Sequence, residues 1–175
     1  MKIKDKTFKV LIQEKDLQER IAVMAKAIND DYQGKAPLFI GILNGSFMFV
    51  ADIMKHITLP SKVSFIKLAS YNVMTSSGTV KELIGLNENI FEQDVVILED
   101  IIDSGITIAT AIDEFKKRGA SSVAVATLLF KPKALKTKVD IDYVGFEIGN
   151  EFVVGYGLDY DGLGRNSGSI YQLEE

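Results

Sequence analysis

Apolar residues recur along this chain in two alternating rhythms. Over residues 14–32, Leu17, Ile21, Met24, Ala25, Ile28 and Tyr32 fall at three- and four-residue spacing, the single stripe of an amphipathic helix, which Gly34 and Pro37 then close. Residues 38–43 are almost wholly apolar and strand-sized; Asn44-Gly45 signals a turn, and residues 46–57 return to helical character. The stretch 62–71 alternates as a strand through Val63, Phe65, Ile66 and Leu68, and 80–84 fits a short edge strand. Within 94–99, Val95-Val96-Ile97-Leu98 is the kind of run that suits a parallel strand covered on both faces. A helix is expected over 107–118 with Gly119 just past its end, then a buried strand over 123–130 and short strands over 143–147 and 152–155. Strand and helix in regular alternation predict an α/β fold with a central, mostly parallel twisted sheet flanked by helices. In such sheets ligands bind where the strands end, so the loops after Leu43, Glu99 and Phe130 are the places to find chemistry.

Composition narrows the classes. The 175 residues suit one domain, and 47% apolar with 25% charged is ordinary globular usage. No apolar run nears the roughly 20 residues of a membrane helix, and Met1 to Lys6 shows no secretion signal. Cysteine is absent, which excludes disulfides and thiolate metal sites and agrees with a reducing, cytoplasmic setting. A net charge of −4 with no evident basic face argues against nucleic acid as a partner. Lys133, Lys136 and Lys138 read as a solvated loop behind Lys131. An acidic chain still binds polyanions where metal and backbone N–H groups supply the positive field.

The richest string is Leu98-Glu99-Asp100-Ile101-Ile102-Asp103-Ser104-Gly105-Ile106-Thr107. A buried strand runs into two adjacent carboxylates, a third follows, and Ser-Gly-x-Thr opens a helix. Gly105 permits a tight turn that converges N–H groups, and the helix start favours an anion. Ser104 and Thr107 add hydroxyl donors. Carboxylates accept from the two hydroxyls of a ribose or hold magnesium through water. Together these describe a ribose 5-phosphate site; the usual nucleotide-binding glycine motifs are missing.

This string closely resembles the phosphoribosyl pyrophosphate motif of type I phosphoribosyltransferases, and its Glu-Asp pair looks like the hypoxanthine-guanine subgroup. The resemblance implies that family's fold over 1–175, with a core near 14–147 and a small hood built from the N-terminal segment and about 148–175. It implies a salvage transferase that uses magnesium, phosphoribosyl pyrophosphate and a 6-oxopurine, usually as a homodimer or homotetramer. Under it Glu99 and Asp100 hold the ribose diol, Asp103 accepts a proton near purine N7, and Ser104, Gly105, Ile106 and Thr107 bind the 5-phosphate. Leu43, Asn44 and Gly45 resemble the pyrophosphate loop, where the family often has a non-proline cis peptide and a lysine in place of Asn44. Ser70 and Tyr71 match the opening of a mobile lid. Lys131 is placed to read an oxygen at purine C6. Phe152 would stack on the base and Val153 read its edge; Asp159, near the base, would help bind a second magnesium ion beside that of Glu99 and Asp100, and Arg165 would contact pyrophosphate. A transferase for another base, a non-catalytic sensor of the same ligand and a purely structural domain remain as alternatives on the residues alone.

Overall fold

The structure, a computed structural model, describes residues 1–69, 81–86 and 88–174. Its centre is a six-stranded sheet ordered β5-β4-β3-β6-β7-β8, made of β3 (Leu38–Leu43), β4 (Lys62–Ala69), β5 (Lys81–Ile84), β6 (Asp94–Ile102), β7 (Ser122–Phe130) and β8 (Tyr143–Glu147). Every pairing is parallel except that of β5 with β4. Helices α1 (Glu14–Asp31) and α2 (Phe47–His56) lie on one face and α3 (Ile106–Lys117) on the other.

The pleat explains the two layers of core. Phe39, Val96, Leu98 and Leu128 pack with Leu17, Ile21, Phe49 and Ile53 from α1 and α2. Their strand neighbours Leu38, Ile40, Ile97 and Val125 pack with Ile108 and Phe115 of α3. Alternate residues point to opposite faces, and both faces are dry, which is why these strands read as unbroken apolar runs. The stripe on α1 is buried as its spacing requires.

A second, antiparallel sheet forms the hood, in the order β1-β2-β10-β9, from β1 (Lys2–Ile3), β2 (Lys6–Ile12), β9 (Val153–Val154) and β10 (Ile170–Leu173). Both chain ends thus meet beside the carboxyl edge of the main sheet. Two strands differ in extent from expectation, and three more were not expected. The strand expected to end at Glu99 continues to Ile102, because β7 pairs with it as far as Ile102↔Phe130. The strand expected over 152–155 is only Val153–Val154, since the chain turns left-handed from Gly155 onward. Strands β1, β2 and β10 carry no periodic signal long enough to announce them. Ser70 and Tyr71, the expected lid, lie outside the described residues. No helix among the described residues is long and apolar enough to cross a membrane.

Candidate active site

The carboxyl end of β6 divides its two acids by the same pleat that divides the core. Asp100 follows Leu98 toward α2, where its carboxylate lies against Gly45: a Cβ on that glycine would stand 1.6 Å from Asp100 Oδ2. Glu99 follows Ile97 toward α3 and borders a hollow of about 140 Å³ shared with Ser104, Gly105 and Thr107. The carboxyl groups still meet through a side-chain hydrogen bond. Burial first, then the charge of Asp100, pushes Glu99 well above the usual carboxyl range. Burial also raises Asp100, opposed by hydrogen bonds and by Arg165. Each acid thus resists ionisation beside the other, Glu99 the more strongly shifted. Glu99 Oε2 is shut from solvent and has no hydrogen-bond partner among the described residues, an unmet buried acceptor on a residue that lines the cavity.

That arrangement costs stability in a defined pH window. An acid whose folded value is raised keeps its proton where the unfolded chain has lost it. The stability it contributes is complete below the ordinary carboxyl range and is lost as pH rises through the raised value. Glu99→Gln keeps the donor toward Asp100 and cannot ionise. The variant should melt near wild type at pH 4.5 and several degrees higher at pH 8, as scanning calorimetry across that range would show. Equal melting at both pH values would refute an ionising, strained Glu99.

The turn into α3 is an anion cradle. Gly105 adopts φ 77° as the cap residue, with no side-chain cap and no acid in the first helical turn. Among the described residues the leading N–H groups therefore have only a 3.5 Å contact from Ile106 N–H to Ser104 Oγ. The segment after β7 braces this turn from outside: Lys136 and Thr137 both donate backbone hydrogen bonds to the Ser104 carbonyl. A Cβ at Gly105 would also lie 2.6 Å from the Thr137 carbonyl, so only glycine fits.

A cavity of about 400 Å³ adjoins this hollow and is shared by Leu43, Asn44, Gly45, Glu99, Asp100, Asp103, Thr107, Lys131, Phe152, Val153, Asp159 and Arg165. Residues 120 positions apart in sequence thus share one surface. Ser104 and Gly105 line the neighbouring hollow. Ile106 lines neither, being the half-exposed first residue of α3, and its share in the site is its backbone N–H. The Leu43–Asn44 peptide is cis, and the buried Ser46 hydroxyl donates to the Ile42 carbonyl at 2.6 Å, tying the loop into the start of α2.

Lys131 is 7% exposed although charged. Its N–H donates to the Ile102 carbonyl, and its Nζ lies 3.7 Å from Asp103 Oδ2. Across the cavity Phe152 is 45% exposed, not core. Phe8 and Tyr160 brace its ring, with centroids 6.4 and 6.0 Å away. Arg165 is held by Asp159 Oδ1 at 2.6 Å and by the Gly157 carbonyl, also at 2.6 Å. Ile42, Ile101 and Leu158 also line this space and were not expected from sequence; an apolar residue at a strand end carries no signal that separates wall from core.

An uncapped helix start, paired acids at a strand end and an exposed aromatic opposite a buried lysine define a protein of the nucleotide-handling α/β class. Comparison with known proteins makes the class specific. Residues 12–161 match the phosphoribosyl transferase domain, and the chain belongs to that family. It is similar to the hypoxanthine-guanine phosphoribosyltransferase of Bacillus subtilis, 42% identical over 90% of this chain and 88% of the relative. It is also similar to the bifunctional protein TilS/HprT of Listeria monocytogenes serotype 4b, 43% identical over 90% of this chain; here the chain spans only 24% of the relative's length. A crystal structure of a hypoxanthine-guanine phosphoribosyltransferase from Bacillus anthracis superposes with a TM-score of 0.91 at 36% identity, covering 97% of this chain and 99% of that one.

Proposed function

We propose that this protein is a purine-salvage transferase that joins hypoxanthine, and guanine, to the ribosyl phosphate of phosphoribosyl pyrophosphate. N9 of the base forms the bond to ribose C1 as the bond from C1 to pyrophosphate breaks. Core and hood act as one domain, and its likeness to hypoxanthine-guanine phosphoribosyltransferases over nearly their whole length supports this. The observation that carries the reading is the cavity itself: buried acids, an anion cradle and a buried lysine beside an aspartate share one space.

The roles follow from chemistry and placement. The cradle at Ser104, Gly105, Ile106 and Thr107 takes the 5-phosphate, and Glu99 and Asp100 accept from the ribose diol. Asp103 is 58% exposed, so it can reach a ligand, and it takes the proton from purine N7 as the bond at N9 forms. Phe152 stacks on the base and the main chain of Val153 reads its edge; Arg165 and the backbone of Leu43, Asn44 and Gly45 face the pyrophosphate. Ser70 and Tyr71 would shield the reacting centre from water. Among the described residues no three acids stand close enough to hold a metal alone. Glu99, Asp100 and Asp159 line the same cavity and suit magnesium completed by substrate oxygens, Glu99 and Asp100 toward one ion and Asp159 toward a second. Magnesium held there would supply positive charge to offset that of the leaving pyrophosphate. The chain works in the cytoplasm as a homodimer or homotetramer, which light scattering would test.

Nucleotide formation measured with hypoxanthine, guanine, xanthine, adenine and orotate tests the assignment. Activity confined to the 6-oxopurines is expected; activity confined to adenine or orotate overturns it. The same assay tests Lys131. Its ammonium donates to a C6 oxygen and meets an adenine amino group donor to donor. Lys131→Gln replaces it with an amide that both donates and accepts. The ratio of kcat/KM for hypoxanthine over adenine should fall by at least about tenfold, and an unchanged ratio would remove Lys131 from base selection.

A further inference from the structure

Behind the wall of the cavity lies a hydrogen-bonded cluster that touches no reacting atom. Tyr156 is 1% exposed and sits at φ 49°, between Gly155 at φ 95° and Gly157 at φ 98°. The glycines adopt that conformation freely, but a bulky residue rarely does and keeps it only where the surroundings enforce it. The Tyr156 hydroxyl donates to Asp52 Oδ2 at 2.5 Å. Gln18 Nε2 donates to the same oxygen at 2.6 Å, and Lys55 Nζ lies 2.7 Å from Oδ1. Asp52 therefore gathers α1, α2 and the hood turn at one point. Burial pushes its carboxyl up, but hydrogen bonds from Lys55, Tyr156 and Gln18 hold it below the usual range, so it is charged.

What the turn carries gives the cluster its meaning. A Cβ on Gly157 would stand 1.9 Å from the Gly45 carbonyl, so hood turn and pyrophosphate loop meet backbone to backbone. The Gly157 carbonyl accepts from Arg165 Nη1, and its N–H donates to the Arg165 carbonyl. Asp52 lies in the second turn of α2, the helix that this same loop opens.

We propose that Asp52 and Tyr156 are positioning residues for pyrophosphate recognition: their hydrogen bond clamps the hood turn onto the loop at Gly45 and so sets Arg165 over the leaving-group site. The inference rests on the function proposed above, yet a binding measurement separates the two.

Tyr156→Phe keeps the ring and its packing and removes only the hydroxyl, with its bond to Asp52 and a long 3.5 Å contact from Gln18 Nε2. Kinetics of nucleotide formation should show KM for phosphoribosyl pyrophosphate raised about tenfold, the size of one lost hydrogen bond to a charged group, with KM for the base and kcat within about twofold. Titration calorimetry with magnesium pyrophosphate should show the same loss of affinity. Asp52→Asn retains an acceptor toward the tyrosine and should restore most of the affinity that Asp52→Leu loses. Unchanged KM and pyrophosphate affinity in Tyr156→Phe would overturn the proposal, as would a uniform loss in which base and pyrophosphate suffer alike in step with a fall in melting temperature. If Asp52→Leu fails to fold, Tyr156→Phe and Asp52→Asn decide the matter. A wild-type protein that binds pyrophosphate and forms no nucleotide would sink the function and leave the clamp standing.

Discussion

Asp103→Asn should lower kcat for nucleotide formation at least about a hundredfold and leave nucleotide affinity within a few-fold of wild type. Position and chemistry lead to that number. Asp103 lies just past the end of β6 and its side chain is 58% exposed, so its carboxylate is open to a ligand in the cavity. Lys131 at 3.7 Å is the cation that offsets its charge. An amide in its place has nearly the same shape and can still accept a hydrogen bond, but it cannot take a proton. General-base catalysis of this kind is worth roughly 10²–10⁴ in rate. Steady-state kinetics with product inhibition by the nucleotide would separate the two effects. Weakened nucleotide binding with normal turnover would make Asp103 a contact for the base and nothing more.

The second large effect is expected from one added methyl group. Gly45→Ala would put a Cβ within 1.6 Å of Asp100 Oδ2, far inside contact distance. Asp100 is 8% exposed on a central strand, so the strand cannot give way and the carboxylate must leave its place. Gly45 meets Gly157 on its other side, which closes the remaining route of escape for the loop. Binding of phosphoribosyl pyrophosphate should fall at least about a hundredfold by calorimetry, because the diol acceptor and the pyrophosphate loop are displaced together. Circular dichroism should still show a folded chain, since neither apolar core is touched. Near-normal affinity would mean that Asp100 takes no part in holding ligand.

Much of this was legible in the sequence, for reasons that differ by region. The parallel strands are apolar throughout because both faces of the sheet are covered, and that makes 38–43 and 94–99 conspicuous. The turn into α3 was legible because glycine, hydroxyls and acids in one short string have few other uses. The hood was legible only in part: its place at the two ends of the chain follows from the resemblance and a strand near 152–155 is expected, but β1, β2 and β10 are not, because β2 and β10 pair across the whole length of the chain. Phe152 looked by itself like a core residue, and only its neighbours in sequence suggested a platform; in the fold it is half exposed and braced by Phe8, a partner that no local pattern could supply. Asp52 gave a faint sign, an acid next to Ile53 in an apolar helix, but its partners lie 34 and 104 residues away. Pairings of that reach depend on how the chain closes.

Because Glu99 and Asp100 owe their opposite headings to a two-residue pleat, the stretch from Val95 to Asp100 can change length only in steps of two. Deleting or inserting a single residue there would exchange the compartments the two acids look into and turn the dry faces of the strand over with them. The spacing between the sheet's centre and its ligand-facing rim is thus counted in whole pleats.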